Sequence, residues 1–258
     1  MFAVANQKGG VGKTTTVVNL GAYLGALGSR VLLVDCDPQA NCSGLLNGDA
    51  PAAHLGDVLT GAVEIGEAAT QTDIKGVELL SSAPTLAGLE VELMDVAAPG
   101  MRLKEVLGPE ADQYDYVLLD CPPSLGVLTV NALVAADAVL IPVQCEYLAL
   151  EGLARLLDTL DRVRDQSNPS LRIFGLVMTM YDGRTLLSQQ VAAEVRRHYP
   201  TLTFDSMIPR NVRLSEAPSF GQSILQYDPY SRGAEAYQAL AMEVAARAPR
   251  LAAAHGSS

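Results

Sequence analysis

Short apolar runs alternate along this chain with segments whose apolar residues recur at helical spacing. Phe2–Ala5, Arg30–Asp35, Val77–Ser81, Tyr114–Asp120, Ala138–Val143, Ile173–Thr179 and Thr203–Ile208 predict seven strands. The second of these is apolar from Val31 to Val34, without a polar face, as a parallel strand covered on both sides requires. Helical periodicity fills the gaps. It runs from Thr16 to Leu27 (Val17, Leu20, Leu24, Leu27) and from Thr85 to Val96 (Leu86, Leu89, Leu93, Val96). Further helices are predicted over Leu125–Ala135, from Gln144 to about Asp165, over Thr185–His198, and from Ala234 to about Arg247. Residues 41–76 are glycine-punctuated and predict an irregular stretch with short helices such as Leu55–Leu59. Pro142 lacks a ladder donor and predicts a strand boundary. Strands alternating with helices imply an α/β fold: a single doubly wound, mostly parallel sheet with helices on both faces. One domain over residues 1–250 and a disordered tail over 251–258 are expected.

Length and composition narrow the class. At 258 residues the chain is within the range of one α/β domain, and no apolar run reaches the ~18 residues of a membrane span. The first strand starts at residue 2 with no charged leader before it, so a soluble intracellular protein with no added N-terminal domain is expected. Cys36, Cys42, Cys121 and Cys145 show no C-x-x-C spacing, which predicts free buried thiols in a reducing cytosol. The net charge of −11 is unevenly spread. Residues 1–150 hold 6 lysines and arginines against 18 acids, and residues 151–258 hold 12 against 11. All twelve of the latter bases are arginine, the side chain whose planar fork suits phosphate, although a GC-rich genome would favour the same codons.

The candidate chemistry begins at Gln7-Lys8-Gly9-Gly10-Val11-Gly12-Lys13-Thr14-Thr15, between the first strand and the first helix. A glycine-rich turn in that context is a phosphate-binding loop. Gly9, Gly10, Val11, Gly12 and Thr15 would present backbone N–H groups, reinforced by the helix start. Lys13 would reach the β- and γ-phosphates and the Thr14 hydroxyl would sit on Mg²⁺. The bland alternative is a βα turn that binds nothing. Gln7 stands where the general G-x-x-x-x-G-K-[ST] pattern has its first glycine, and a second lysine, Lys8, lies five residues before Lys13.

Two strand ends add carboxylates. Asp35-Cys36-Asp37-Pro38-Gln39 closes the second strand, beside the phosphate loop on the neighbouring strand, with both aspartates on one side by alternation. One could support the metal shell and the other orient or deprotonate a water; helix capping by Asp37 is the structural alternative. Tyr114–Asp120 ends in a Walker B-like aspartate, Asp120, followed by Cys121-Pro122-Pro123-Ser124.

These blocks, with Ile208-Pro209-Arg210-Asn211-Val212-Arg213-Leu214-Ser215-Glu216-Ala217-Pro218 and Tyr227-Asp228-Pro229-Tyr230-Ser231-Arg232-Gly233-Ala234-Glu235, resemble the ParA/Soj proteins of the ParA/MinD family of P-loop NTPases. The K-G-G-x-G-K-T-T loop is similar to that family's deviant Walker A motif, and the likeness extends from Ala3 to Val244. The resemblance implies an ATPase working with ATP and Mg²⁺. By it, Asp37 positions the attacking water, Asp35 and Asp120 serve the metal with Thr14, and Pro209, Arg210 and Asn211 contact adenine. It further implies that Lys8 crosses a two-fold interface to a second subunit's phosphates, so that ATP holds a homodimer together. Non-specific double-stranded DNA and a ParB-type centromere-binding protein are the implied partners, in the cytoplasm on the bacterial nucleoid. Arg184, Arg196, Arg197, Arg210 and Arg213 are the candidates for DNA contact; the alternative for each is a solvated or locally paired surface arginine.

Three other readings share parts of this pattern. A MinD-like membrane ATPase would need a basic amphipathic helix at the C-terminal end, where Ala234–Ala254 is alanine-rich with few bulky apolar residues. An iron–sulfur reductase similar to the nitrogenase iron protein would need cysteines meeting at the two-fold axis, and Cys121 and Cys145 are not obviously placed for that. A nucleotide-gated scaffold without catalysis would keep the loop and lose stimulated hydrolysis.

Overall fold

The computed structural model describes residues 1–46, 52–94, 98, 100–147 and 149–253. Eight strands form one sheet: β1 (Phe2–Val4), β2 (Val31–Asp35), β3 (Thr70–Gln71), β4 (Val77–Leu80), β5 (Tyr116–Asp120), β6 (Ala138–Gln144), β7 (Arg172–Tyr181) and β8 (Thr203–Pro209). Their spatial order is β3-β4-β2-β5-β1-β6-β7-β8, and every pairing is parallel except β3 with β4. The short antiparallel edge strand β3 lies in the stretch expected to be irregular, where no apolar run marks it. That stretch also folds α2 (Asn41–Leu46), α3 (Leu55–Thr60) and α4 (Ile65–Ala68), after α1 (Lys13–Ala26). The chain continues through α5 (Leu86–Met94), α6 (Arg102–Leu107), α7 (Val127–Ala135), α8 (Ala149–Gln166), α9 (Leu186–His198), α10 (Val212–Glu216), α11 (Ile224–Tyr227) and α12 (Arg232–Ala253). Val96, expected at the end of α5, and the tail from residue 254 lie outside the described residues.

Hydrophobic cores on both faces of the sheet explain the unbroken apolar strands. Leu32, Val34, Leu119, Val139 and Ile141 pack into one cluster, and Val31, Leu33, Leu118 and Leu140 into the other. Alternate residues of each strand therefore serve opposite layers, with no polar face left over.

Four expectations change. α1 starts at Lys13 instead of Thr16, because Lys13, Thr14 and Thr15 form a polar first turn that carries no periodic signal. Gln144 belongs to β6, paired with Thr179, so the long helix opens only at Ala149. Pro142 sits within β6, not at its boundary. Its backbone edge faces past the end of β1, where its carbonyl accepts from the Asn6 Nδ2 (2.7 Å), so the missing N–H costs no ladder bond. Lastly, α12 continues through Ala253 into the predicted tail.

α12 closes the β8 edge. Tyr237, Leu240, Ala241 and Val244 are buried against the sheet layer, and Arg247 stacks 4.0 Å over the Phe204 ring. The Glu243 carboxylate accepts from the N–H groups of Asp205 (3.0 Å) and Ser206 (3.1 Å) and from the Ser206 hydroxyl (2.9 Å). Burial works to raise its pKa, but these donors and Arg247 together hold it below the ordinary glutamate value. Glu243→Ala is expected to lower unfolding free energy by roughly 1–2 kcal/mol in denaturant titrations, a charged hydrogen-bond loss discounted for partial exposure. A depressed carboxylate pKa contributes stability above the unfolded value and loses it as pH falls. The wild-type–variant gap should therefore shrink below about pH 4, near the ordinary glutamate pKa.

Candidate nucleotide site

The phosphate loop is built by glycine conformations and three anchors. Gly10 (φ +72°) and Gly12 (φ +89°) adopt the left-handed region that only glycine enters freely, turning the backbone into the cradle. Gly12 also caps α1, whose first turn holds no acid. The buried Val11 side chain pins the loop from below. Its carbonyl accepts from the Thr179 hydroxyl on β7 (2.8 Å). Asn6 accepts from the Lys8 N–H (3.0 Å) while donating to Pro142. Asn6 and Thr179 carry no motif signature; only a polar residue ending an apolar strand hints at either.

Lys13 is a buried cation with little protein company. Its only described hydrogen bond is a long one to the Lys8 carbonyl (3.4 Å). Burial lowers its pKa, with Asp120 and Asp37 pulling the other way. A desolvated ammonium beside the glycine-turned loop backbone is an anion site waiting for charge.

Strand order places the carboxylates. β5 lies between β2 and β1, so Asp120, not Asp35, is next to the phosphate-loop strand. Asp35 and Asp120 are register partners and stand side by side. Burial, reinforced by Asp35, pushes Asp120 well above the usual carboxylate range, opposed by the Thr14 hydroxyl and Lys13. Neither buried Asp120 oxygen has a hydrogen bond of normal geometry among the described residues, although the Thr14 hydroxyl is near enough to favour the ionised form. An orphaned carboxylate beside Thr14 fits a hydrated Mg²⁺ shared with phosphates, since that ion keeps several waters and needs few protein ligands. No group of three or more His, Cys, Asp or Glu side chains placed to hold a metal exists among the described residues.

Asp35 is engaged differently. Its Oδ2 accepts from the Ser43 N–H (2.8 Å) and hydroxyl (2.7 Å), and its Oδ1 from the Asp37 N–H (3.1 Å). Burial still pushes it up to about 6. Asp37 is turned to the cavity instead. Its Oδ1 accepts from the Gln39 N–H (2.9 Å), and the residue lines a cavity of about 420 Å³ with Gly9, Gly10, Gly12, Lys13, Thr14 and Thr15. A second cavity of about 460 Å³ shares Gly12, Thr15 and Met180 with it and is lined by Ile208, Pro209, Arg210 and Asn211. A chamber lined by the loop glycines, Lys13, Thr14 and Asp37, joined to a more apolar one, fits a polyphosphate joined to a base. Met180 stands at their junction with φ +51°, a strained backbone for a non-glycine residue.

Lys8 points away from the phosphate chamber. Its Nζ pairs with the Glu146 Oε2 (3.1 Å), and both side chains are more than 40% exposed. The same carboxylate holds Arg210 at 3.6 Å. The arginine candidates divide. Arg184 pairs with Asp182, Arg210 with Glu146, and Arg213 with Glu216 and Asp228, all near the ligand edge of the sheet. Arg196 and Arg197 lie in the last turn of α9, a 13-residue helix that carries them about 15 Å toward the opposite edge. The five do not make one patch.

Comparison with known proteins agrees with this geometry. A family profile described as "AAA domain" matches residues 1–173. The chain is 52% identical to the chromosome partitioning protein ParA of Caulobacter vibrioides, covering 96% of this chain and 94% of that one. It is 54% identical to the chromosome-partitioning ATPase Soj of Thermus thermophilus, covering 95% of each. Its fold is similar (TM-score 0.80, 41% identity, 93% and 91% covered) to a Mycobacterium smegmatis crystal structure described as cobyrinic acid a,c-diamide synthase with bound ADP and magnesium. With a two-chambered site on a parallel sheet and half of all residues shared over nearly full length, the chain belongs to the ParA/Soj family of chromosome-partitioning ATPases.

Proposed function

We propose that this ATPase partitions DNA by forming an ATP-dependent homodimer that binds duplex DNA without regard to sequence, and that a ParB-type partner triggers the hydrolysis that releases it. The observation that carries this reading is the contrast between the two loop lysines. Lys13 is buried and faces its own cavity; Lys8 is exposed and faces outward. A lysine that cannot serve its own subunit's phosphates is free to serve those of a second copy.

Within one subunit the loop amides and Lys13 bind the β- and γ-phosphates, and Pro209, Arg210 and Asn211 line the base chamber. Thr14 and Asp120 would hold Mg²⁺, which when bound neutralises phosphate charge and orients the oxygens. Asp37, with one carboxylate oxygen left over from its turn, orients the attacking water and accepts its proton. Lys8 of the second copy adds positive charge where negative charge gathers on the transferred group. Hydrolysis removes what Lys8 crosses to reach, and the pair separates.

Two copies also answer the charge problem of an acidic protein on DNA. Arg184, Arg210 and Arg213 are at least half exposed and lie on the same edge as Lys8. Doubling them gives six cations on one assembly. Neutralising about six phosphates gives a salt slope of about −5 in log K against log salt. DNA binding measured with ATP, ADP and a non-hydrolysable analogue across a salt series tests the reading. Binding with ATP and the analogue at that slope, and loss with ADP, is expected. Equal binding with ADP, or insensitivity to salt, would refute it.

A lipid-bound positioning ATPase draws no support from α12, whose Tyr237, Leu240, Ala241 and Val244 are buried in a helix that packs against β8 and α1. No helix among the described residues is long and apolar enough to cross a membrane.

A further inference from the structure

The reading of Asp37 as the residue that orients water leaves open what holds Asp37 in place. The turn that carries it is not held by its own bonds alone. The Ala40 N–H reaches the Asp37 carbonyl (2.8 Å), and Ala40 adopts φ +52°, a left-handed conformation that costs a non-glycine residue free energy. A strained turn persists only where its surroundings over-determine it.

The surroundings here are a buried hydrogen-bond relay centred on Ser43. The Ser82 N–H, just past the end of β4, donates to the Ser43 Oγ (2.8 Å). That direction is fixed, because an amide N–H cannot accept. The Ser43 hydroxyl therefore gives its own proton to the Asp35 Oδ2 (2.7 Å), where the Ser43 N–H joins it (2.8 Å). The other Asp35 oxygen accepts from the Asp37 N–H (3.1 Å). Asp35, Ser43 and Ser82 are 0%, 5% and 4% exposed, so the relay is shielded from bulk solvent. Thus β4, α2 and the end of β2 converge on the backbone of Asp37.

We propose that Ser43 is a positioning residue for hydrolysis: its hydroxyl, fixed between Ser82 and Asp35, sets the Asp37 carboxylate over the phosphate chamber. The proposal rests on the role assigned to Asp37. Removing the hydroxyl leaves the Ser82 N–H without its acceptor and Asp35 short of one donor. The strained turn then relaxes, and the Asp37 carboxylate shifts by a fraction of an ångström to an ångström. Phosphate binding does not run through this relay, because the loop backbone is anchored by Asn6, Val11 and Thr179.

The test compares wild type, Ser43→Ala, Ser43→Thr, Asp37→Ala and the Asp37→Ala/Ser43→Ala double variant in steady-state ATP hydrolysis with Mg²⁺. A fluorescent nucleotide titration and a thermal midpoint accompany each. Ser43→Ala should lower kcat roughly 10- to 100-fold, the scale of an ångström's misplacement, with nucleotide affinity within about twofold of wild type. Ser43→Thr, which keeps the hydroxyl, should restore most of the rate. The double variant should hydrolyse at the residual rate of Asp37→Ala alone, because two changes acting through one group are not additive. Wild-type kcat in Ser43→Ala, a loss confined to affinity, or a further multiplicative loss in the double variant would each overturn the proposal. An Asp37→Ala enzyme with wild-type kcat would instead overturn the Asp37 reading on which it stands. Should Ser43→Ala lose its thermal transition, Ser43→Cys, which keeps the volume and donates weakly, is read by the same criteria.

Discussion

Lys13→Ala is expected to lose ATP affinity by about 100-fold or more, since truncating one partner of a desolvated charge pair costs about 2–5 kcal/mol. Lys13 is 7% exposed and has only one long hydrogen bond among the described residues. The bound phosphates would be its principal partner. The same fact predicts an unusual companion result. Because burial disfavours the unliganded ammonium, removing it should leave the thermal midpoint of the nucleotide-free protein unchanged or raised. Midpoint shifts on adding ATP and Mg²⁺ should then vanish in the variant, because a ligand stabilises only what it binds. Titration with a fluorescent nucleotide checks the first result and calorimetry the second. Wild-type affinity in Lys13→Ala would place the phosphates somewhere other than this loop.

Asp37→Ala should separate binding from chemistry. Its carboxylate lines the phosphate chamber but takes no part in holding the loop, whose anchors are Asn6 and Thr179. Nucleotide affinity should stay within a few-fold of wild type, while single-turnover hydrolysis falls by about 10²–10⁴, the range of a lost general base. If ATP clamps two copies together, the variant should run as a long-lived dimer in gel filtration with ATP and as a monomer with ADP. It should stay on DNA when the partner protein is added. Rapid hydrolysis by this variant would transfer the water-orienting role to another group on the chamber wall.

The nucleotide chemistry was legible in the amino-acid sequence because it is contiguous. Gly10 and Gly12 announce their left-handed backbone, Lys13 and Thr14 follow at fixed spacing, and the aspartates close apolar runs. Unbroken hydrophobic strands likewise announced a sheet covered on both faces, since each alternate residue had a core to enter. Helix starts were less legible where ligand-facing polar residues occupy the first turn, as at Lys13.

Pairings between distant segments leave no local trace, and only the tertiary structure decided them. That β5 lies between β2 and β1, bringing Asp120 rather than Asp35 next to the phosphate loop, depends on pairings of segments 85 and 116 residues apart in the chain. The tie of Ser43 to Asp35 and Ser82, the parking of Lys8 on Glu146, and the separation of Arg196 and Arg197 from the ligand edge have the same origin. Side-chain identity in this chain specifies what a group can do; the path of the backbone between groups specifies which of them meet.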